Sequence, residues 1–274
     1  MPSEVYEFDA RQSRFRYAWN DIRRALSRPQ LLLTLIRATF FNRYQNTVFG
    51  AFWLTATTMA MVSGLALLYG QILGADLKVY FPYVASGVIV WGLLSSLINE
   101  GAAAFILGAS TFNETPIAKS VFALRAVGLA YLNFLFRAGV LVIVLALTRT
   151  VPSVLDIALS LAGLSIIAWT GFWFILSVGV IALRFRDILQ LTNAVMTISF
   201  LLTPVFWQPV RLGQYEWAVA LNPFYHYINV VRGPLLDQSG VGLSFLVTLG
   251  TGVLFTLAGV FVFGQFARRL SYWS

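Results

Sequence analysis

The stretch INEGAAAFILGASTFNETPIAKSVFALR, residues 98–125, decides how this chain is arranged. It places polar side chains between two long apolar runs, and a chain this apolar is expected to keep such a polar segment at a membrane surface. We expect Glu100 at the inner end of one membrane-spanning helix, followed by a cytoplasmic turn and a short helix on which a soluble partner can act. The functional interpretation depends on that placement.

Composition predicts a polytopic membrane protein. The chain has 274 residues, 58% of them hydrophobic and 11% charged, with a mean hydropathy of +0.76, whereas soluble domains carry about 25% charged residues. With no cysteine and one histidine, thiolate sites and multi-histidine metal centres are excluded, so we predict no metal site and no catalytic residues. The net charge of +8 would suggest nucleic acid for a soluble protein; here no nucleic-acid partner is expected, because the charge gathers at one membrane surface.

The predicted fold class is an all-α polytopic membrane protein with six transmembrane helices. Apolar runs of about 20 residues, enough to cross a bilayer, occur at 48–73, 80–107, 126–147, 154–183, 188–207 and 241–266. Residues 208–240 hold shorter apolar pieces with Pro223 and Pro234, which we interpret as half-helices in the outer leaflet. The chain then divides into an N-terminal part, 1–47, and a transmembrane domain, 48–274.

Two segments before the first span are predicted to be amphipathic interfacial helices. Residues 11–28 carry apolar side chains at helical spacing, with arginines between them; the apolar residues are Phe15, Trp19, Ile22 and Leu26, and the arginines include Arg14, Arg16, Arg23 and Arg24. Residues 31–44 are too short to span. Most of the 19 Lys and Arg lie in the N-terminus, the 108–125 and 184–187 loops and the tail, which predicts both termini in the cytoplasm.

Two charged side chains fall inside predicted spans. Glu100 and Arg137 lie about 12 Å and about 18 Å from the cytoplasmic ends of the second and third spans, at about 1.5 Å per residue. A charge at membrane depth costs at least about 2.5 kcal/mol, so the two are expected either to pair and lock adjacent helices or to line a gate or substrate path. Both interpretations stay open.

Aromatic residues are abundant in and beside the spans. Their rings offer stacking surfaces for sugars inside a pore, but interfacial anchoring and helix packing use the same residues. The candidate channel or gate residues, besides Glu100 and Arg137, are Trp53, Tyr83, Trp91, Trp169, Trp173 and Tyr225. The lone His226 is expected to be a hydrogen-bonded structural residue rather than a proton shuttle.

The sequence contains no nucleotide-binding P-loop. That motif needs Gly-x-x-x-x-Gly-Lys-Ser/Thr, and the Lys119-Ser120 pair follows Ala118, with Asn113 in the place of the first Gly. We therefore predict no enzyme activity and no cofactor in this chain. If ATP drives its action, a separate polypeptide binds the ATP and magnesium.

Several short motifs follow one another in a familiar order. Residues 42–54 read NRYQNTVFGAFWL, similar to the pattern R-Y-x-x-T/S-x-L-G-x-x-W at the start of a first span. The further stretches are YFPY at 80–83, NEG at 99–101, RFRD at 184–187 and NPFYH at 222–226. Together they resemble the type-2 ABC exporter permeases for lipid-linked polysaccharide, which export O-antigen, capsule and teichoic acid. One departure is KSVFALR at 119–125, where that family shows Lys-Lys-Val-x-Phe-Pro-Arg.

The resemblance implies the transmembrane subunit of an ATP-driven exporter in the bacterial inner membrane. It implies a homodimer that works with two copies of an ABC ATPase subunit. The implied substrate is undecaprenyl-diphosphate-linked polysaccharide, first the O-antigen of lipopolysaccharide, with capsule, teichoic acid or galactan as alternatives. It also implies external gate helices at about 208–240 and a coupling segment at about 108–122, with ATPase contacts from Asn113, Glu114, Thr115, Pro116 and Lys119.

A basic and aromatic group at the inner surface agrees with that substrate. Arg37, Arg43 and Tyr44 would attract a diphosphate headgroup, since guanidinium groups bind phosphate well. Binding of anionic membrane lipid explains these residues equally well. A proton-coupled carrier that uses Glu100, Arg137 and His226 is the alternative from another class, although the internal duplication common in such carriers is not visible.

Overall fold

The computed structural model describes residues 13–45, 47–115 and 117–273, without the side chains of residues 112 and 113, and all regular elements in this part of the chain are helical. The α-helices are α1 (Arg14–Leu26), α2 (Pro29–Tyr44), α3 (Phe52–Leu73), α4 (Leu77–Ala102), α5 (Ala104–Glu114), α6 (Ser120–Thr148), α7 (Val154–Phe174), α8 (Val180–Arg184), α9 (Asp187–Leu202), α10 (Pro223–Leu235), α11 (Val241–Phe266) and α12 (Leu270–Trp273). A π-helical turn, Ile175–Gly179, joins α7 to α8. The predicted all-α class is confirmed for these residues.

Five helices of the described chain are long and apolar enough to cross a membrane: α3, α4, α6, the continuous Val154–Arg184 helix and the helix that begins with α11. Each overlaps one predicted span. The remaining predicted span overlaps α9, whose 16 residues extend only about 24 Å against a hydrocarbon core of about 30 Å. The sixth crossing therefore stays a prediction.

The helix α9 ends early because of Pro204. The residue before a proline is driven out of the helical region, and Thr203 adopts the extended angles φ −93° and ψ 137°. Residues 203–208 then run without regular structure to a 3₁₀ segment, Pro209–Leu221. This segment and α10 occupy the range predicted for the two half-helices, whose depth in the membrane stays a prediction.

The helix α4 is the centre of the helical packing. Of its most apolar stretch 83% is buried, against 17% for α3, and it packs most extensively against α6 and also against α3, α7, α9 and α10. Small residues permit this close packing. A β-carbon at Gly87 would collide with the backbone carbonyl of Val205, so the segment after α9 lies directly on α4.

The first helix, α1, begins at the N-cap Ser13, whose side chain accepts the N–H of Arg16 at 3.3 Å. It packs on the protein through Ala18, Asp21, Ile22 and Ala25. Trp19 and Leu26, two residues of the predicted apolar stripe, are 62% and 61% exposed. They are therefore available to contact lipid, as an interfacial helix requires.

The polar segment after α4 begins earlier than predicted. The second span was expected to continue to residue 107, but α4 ends at Ala102 and Ala104 begins the separate helix α5. A turn follows α5, and α6 begins at Ser120, six residues before the start predicted for the third span. Glu100 thus lies two residues from the end of its helix, not deep inside it.

Candidate functional site

An open cleft of about 720 Å³ lies between α2, the start of α3 and α6. Its walls are largely aromatic: Phe40 of α2 stacks on Phe136 of α6, with ring centroids 5.4 Å apart. Arg37 and Tyr44, seven residues apart on α2 and so on one helical face, also line the cleft, and Arg37 is its charged residue. Two predicted headgroup residues therefore share one cavity.

The third predicted headgroup residue, Arg43, points to α4 and binds Glu100. Its Nη1 and Nη2 donate to Oε1 and Oε2 of that carboxylate, both at 3.0 Å. Such bidentate, charge-assisted bonds are among the stronger hydrogen bonds in proteins, and this one raises the pKa of Arg43. The two side chains remain 41% and 28% exposed, so the pair is accessible.

In the part of the chain that the structure describes, the Glu100 carboxylate pairs with Arg43 and not with Arg137, the partner that one of the two interpretations of the sequence expected. The reason is depth. Because α4 ends at Ala102, Glu100 lies only about 3 Å from its inner end, where the C-terminal end of α2 reaches it. The distance of about 12 Å assumed a longer helix.

Arg137 nevertheless lies beside this pair. Its guanidinium occupies the space that Gly92 leaves on α4, since a β-carbon at that glycine would collide with it. It is within electrostatic reach of Glu100 and Tyr44, and the Tyr44 hydroxyl donates to Asn133 Oδ1, one helical turn before Arg137, over a long 3.5 Å. We call Arg43, Tyr44, Glu100 and Arg137 the inner cluster. It holds two guanidinium groups and one carboxylate.

Trp91, Trp169 and Trp173 lie at helix contacts within the protomer. Trp91 is 8% exposed, with Phe200 and Phe224 at centroid distances of 5.6 and 5.5 Å. The rings of Trp169 and Trp173 occupy the spaces at Gly252 and Gly259 of α11. These placements favour helix packing for the three tryptophans.

Trp53 and Tyr225 are placed differently. Trp53 is 47% exposed near the start of α3, edge-on to Phe49 at 5.3 Å, and remains a surface candidate. Tyr225 contacts the ring of His226 at 5.2 Å. The two ring nitrogens of His226, Nδ1 and Nε2, lie 3.0 Å from Ser244 Oγ and 2.8 Å from the Ala220 carbonyl, which fits the structural role expected for this histidine.

The predicted coupling residues separate into two groups. Glu114 and Thr115 are exposed at the end of α5, whereas Pro116 and the side chain of Asn113 lie outside the described part of the chain. Lys119 is 8% exposed and its Nζ donates to the Ala267 carbonyl at 3.0 Å; burial lowers its pKa. Its position favours an internal contact rather than a surface one.

Asp21 was not among the predicted site residues, yet it joins α1 to α6. Its carboxylate accepts the N–H groups of Lys119 and Ser120, both at 2.8 Å, and the Ser120 hydroxyl at 2.6 Å. Burial raises its pKa, although these hydrogen bonds oppose the shift. It caps a helix whose own N-cap residue, Lys119, has no side-chain cap. One signal in the sequence could have identified Asp21: it shares a helical face with Ala18, Ile22 and Ala25.

A second polar cluster lies at the opposite end of α4. Arg232 of α10 is fully buried, its Nη1 donates to the Pro204 carbonyl at 2.9 Å, and its Cζ lies 4.0 Å from the Tyr83 ring centroid. The Tyr83 hydroxyl in turn donates to the Trp207 carbonyl at 2.8 Å. We call Tyr83, Arg232 and the 204–207 carbonyls the outer cluster. Arg232 was not among the predicted site residues.

The family model described as ABC-2 type transporter matches residues 30–236. This range runs from α2 to the residue that follows α10, and so includes the inner cluster, the exposed end of α5 and the outer cluster. No curated protein matches the chain.

Proposed function

Because the chain belongs to the ABC-2 type transporter family, we propose that it is the transmembrane subunit of an ATP-driven exporter of undecaprenyl-diphosphate-linked polysaccharide. Membership makes it the permease component of an ABC transporter, which acts with an ATPase subunit. The proposal adds a homodimer, two ATPase subunits that bind ATP and magnesium, and a bacterial inner membrane with both termini in the cytoplasm. The O-antigen of lipopolysaccharide is the first substrate to test.

The observation that carries the proposal is the aromatic cleft next to the inner cluster. A polyprenyl diphosphate combines an apolar chain with a compact anionic headgroup. Apolar walls with Phe40 and Phe136 suit the polyprenyl chain. Arg37, which lines the cleft, and Arg43 of the inner cluster suit the headgroup, because guanidinium forks match phosphate oxygens. Both arginines lie on α2, at the end of the protomer where we place the cytoplasm.

The transport experiment uses the purified chain with its partner ABC ATPase subunit, in proteoliposomes loaded with a lipid-linked glycan. We expect translocation that requires ATP and the ATPase. Translocation by the chain alone under a proton gradient would instead identify a secondary carrier and overturn the proposal. Comparison of O-antigen, capsule, teichoic acid and galactan carriers as substrates then identifies the glycan.

The coupling surface has its own test. Glu114 and Thr115 are the predicted contact residues whose exposure the structure describes. The double substitution Glu114→Ala and Thr115→Ala should reduce substrate-stimulated ATP hydrolysis several-fold and leave membrane insertion unchanged. Lys78→Ala, at an exposed side chain near the start of α4, is the control and should have no effect. Equal loss in both variants would contradict the proposed coupling site.

A further inference from the structure

We propose that the Glu100 carboxylate pairs with Arg43 only until a phosphate group of the substrate takes its place on the Arg43 guanidinium, and that the released carboxylate then pairs with Arg137. Glu100 and Arg137 would thus be positioning residues for the headgroup, and Arg43 its direct contact. This inference rests on the proposed function, because the phosphate belongs to the diphosphate of that substrate. It assigns roles to the two charged residues of the spans that the sequence left open.

The charge balance of the inner cluster favours such an exchange. Glu100 is its one carboxylate, and Arg43 and Arg137 are its two cations. Among the described residues Arg137 has no ion pair or hydrogen bond within contact distance, although Glu100 lies within its electrostatic reach. Arg137 is therefore available to the carboxylate after it leaves Arg43. With an anion bound to Arg43 and Glu100 paired with Arg137, every charged side chain of the cluster has a partner of opposite charge.

The Arg43–Glu100 pair is partly exposed, so a phosphate group can reach Arg43 and replace Glu100. At 41% and 28% exposure, the Arg43–Glu100 pair belongs to the partly solvated class, whose net stabilisation changes an equilibrium by about fivefold or less. A phosphate presents the same two-oxygen edge to the guanidinium fork as the carboxylate does. Tyr44, which lines the cleft and follows Arg43 in the chain, places the pair beside the cavity.

Asp21 of the same protein is a carboxylate held by buried hydrogen bonds, and it provides the comparison for Glu100. It is 6% exposed and accepts three hydrogen bonds from Lys119 and Ser120, two of them from backbone N–H groups that have no alternative acceptor in their helix. Glu100 binds one flexible side chain. Replacement by an external anion is therefore open to Glu100 and closed to Asp21.

The test measures binding of geranylgeranyl diphosphate to the full-length chain in phosphatidylcholine nanodiscs. Geranylgeraniol and inorganic pyrophosphate, as separate probes, distinguish the contributions of the apolar chain and the headgroup. Arg43→Gln should weaken binding of the diphosphate lipid about tenfold or more, whereas Glu100→Gln should strengthen it about threefold to fivefold. A pair with a purely structural role would make both variants change binding in the same direction.

Arg137→Gln tests the second half of the exchange. It should weaken binding about threefold, because the released carboxylate loses its new partner, and should have no further effect in a Glu100→Gln background, as a double-mutant cycle reveals. Lys78→Gln, at an exposed side chain at the opposite end of α4, is the control and should bind as the wild type does. Thermal unfolding of each variant and of Glu100→Asp, which keeps the charge, identifies losses caused by misfolding.

The outcomes separate this inference from the proposed function. If the wild type binds the diphosphate lipid and Glu100→Gln binds it equally or more weakly while folded, the exchange is overturned and the exporter proposal stands. If neither protein binds it better than geranylgeraniol, the diphosphate site is overturned, and the proposed substrate class with it.

Discussion

The two ends of α4 hold arginines in opposite ways. At the inner end, Arg43 is 41% exposed and faces the carboxylate of Glu100. At the outer end, Arg232 is fully buried and faces the Pro204 carbonyl and the Tyr83 ring. The difference leaves the inner arginine open to solvent, as the proposed exchange of partners requires, whereas the outer arginine is part of the packing.

Burial explains why the outer arrangement is rigid. A guanidinium without a counter-charge is costly to remove from water. The contacts that replace water around Arg232 must therefore be kept for the charge to stay buried. Nε and Nη2 of Arg232 find no acceptor among the described residues, whereas Nη1 donates to the Pro204 carbonyl at 2.9 Å and to the Val205 carbonyl at 3.5 Å. Through these hydrogen bonds and the contact with the Tyr83 ring, Arg232 fastens α10 to α4 and to the segment after α9.

The largest expected effect is therefore at Arg232. Arg232→Ala should lower the free energy of unfolding by about 3 kcal/mol, because it leaves a cavity and removes the guanidinium hydrogen bond to the Pro204 carbonyl. Arg232→Met, which fills the space without a charge, should cost less. Thermal unfolding in detergent measures both, with Arg211→Ala, at an exposed arginine bonded to the Leu73 carbonyl, as control. If Arg232→Ala were as stable as the control, Arg232 would not be a packing element, and the contrast between the two ends of α4 would fail.

Gly92→Ala addresses the inner cluster from α4. The added methyl group would collide with the Arg137 guanidinium and should cost about 1–2 kcal/mol, as overpacking does. Gly64→Ala on α3, where a β-carbon meets nothing within 4 Å, should be neutral or stabilising by up to about 1 kcal/mol. The same unfolding measurement compares the two, and a Gly92→Ala protein as stable as Gly64→Ala would show that Arg137 moves freely.

Asp21→Ala should destabilise by about 1–2 kcal/mol, because α6 loses its N-terminal cap. Burial holds the folded pKa of Asp21 above its usual 3.8, so its contribution to stability is complete below that value and falls as the pH rises through the folded pKa. Asp21→Asn should remove this dependence while keeping one acceptor oxygen. Unfolding temperatures of both proteins across acidic pH measure the effect, and identical pH profiles would refute it.

The smallest stability effect is expected at the exposed ion pair. Arg43→Gln and Glu100→Gln should each change the free energy of unfolding by less than about 1 kcal/mol, as partly solvated pairs do. A loss of about 3 kcal/mol for either variant would place the inner cluster with the outer one as a packing element, and the contrast between them would fail.

Sequence reasoning predicted elements better than their partners. The last span, 241–266, coincides with α11, because a long apolar run between polar ends has few other solutions in a membrane protein. Glu100 and Arg137 were singled out because charges are costly near lipid, and the structure places them beside Arg43 and Tyr44; the roles predicted for these residues stay predictions. The partner of Glu100 was not predictable, because it depends on α4 ending at Ala102 rather than at 107.

By itself, the sequence determined that this chain is a helical membrane protein, where its long apolar helices run and which polar residues need an explanation. Hydrophobic run length and charge position are local properties, and they suffice for that. Only the tertiary structure decided that Arg43 holds Glu100, that Asp21 caps α6 and that Arg232 is buried under Tyr83. These contacts join residues that are 57, 99 and 149 positions apart in the chain. They form because of how the helices pack, and no local pattern of the sequence encodes that packing.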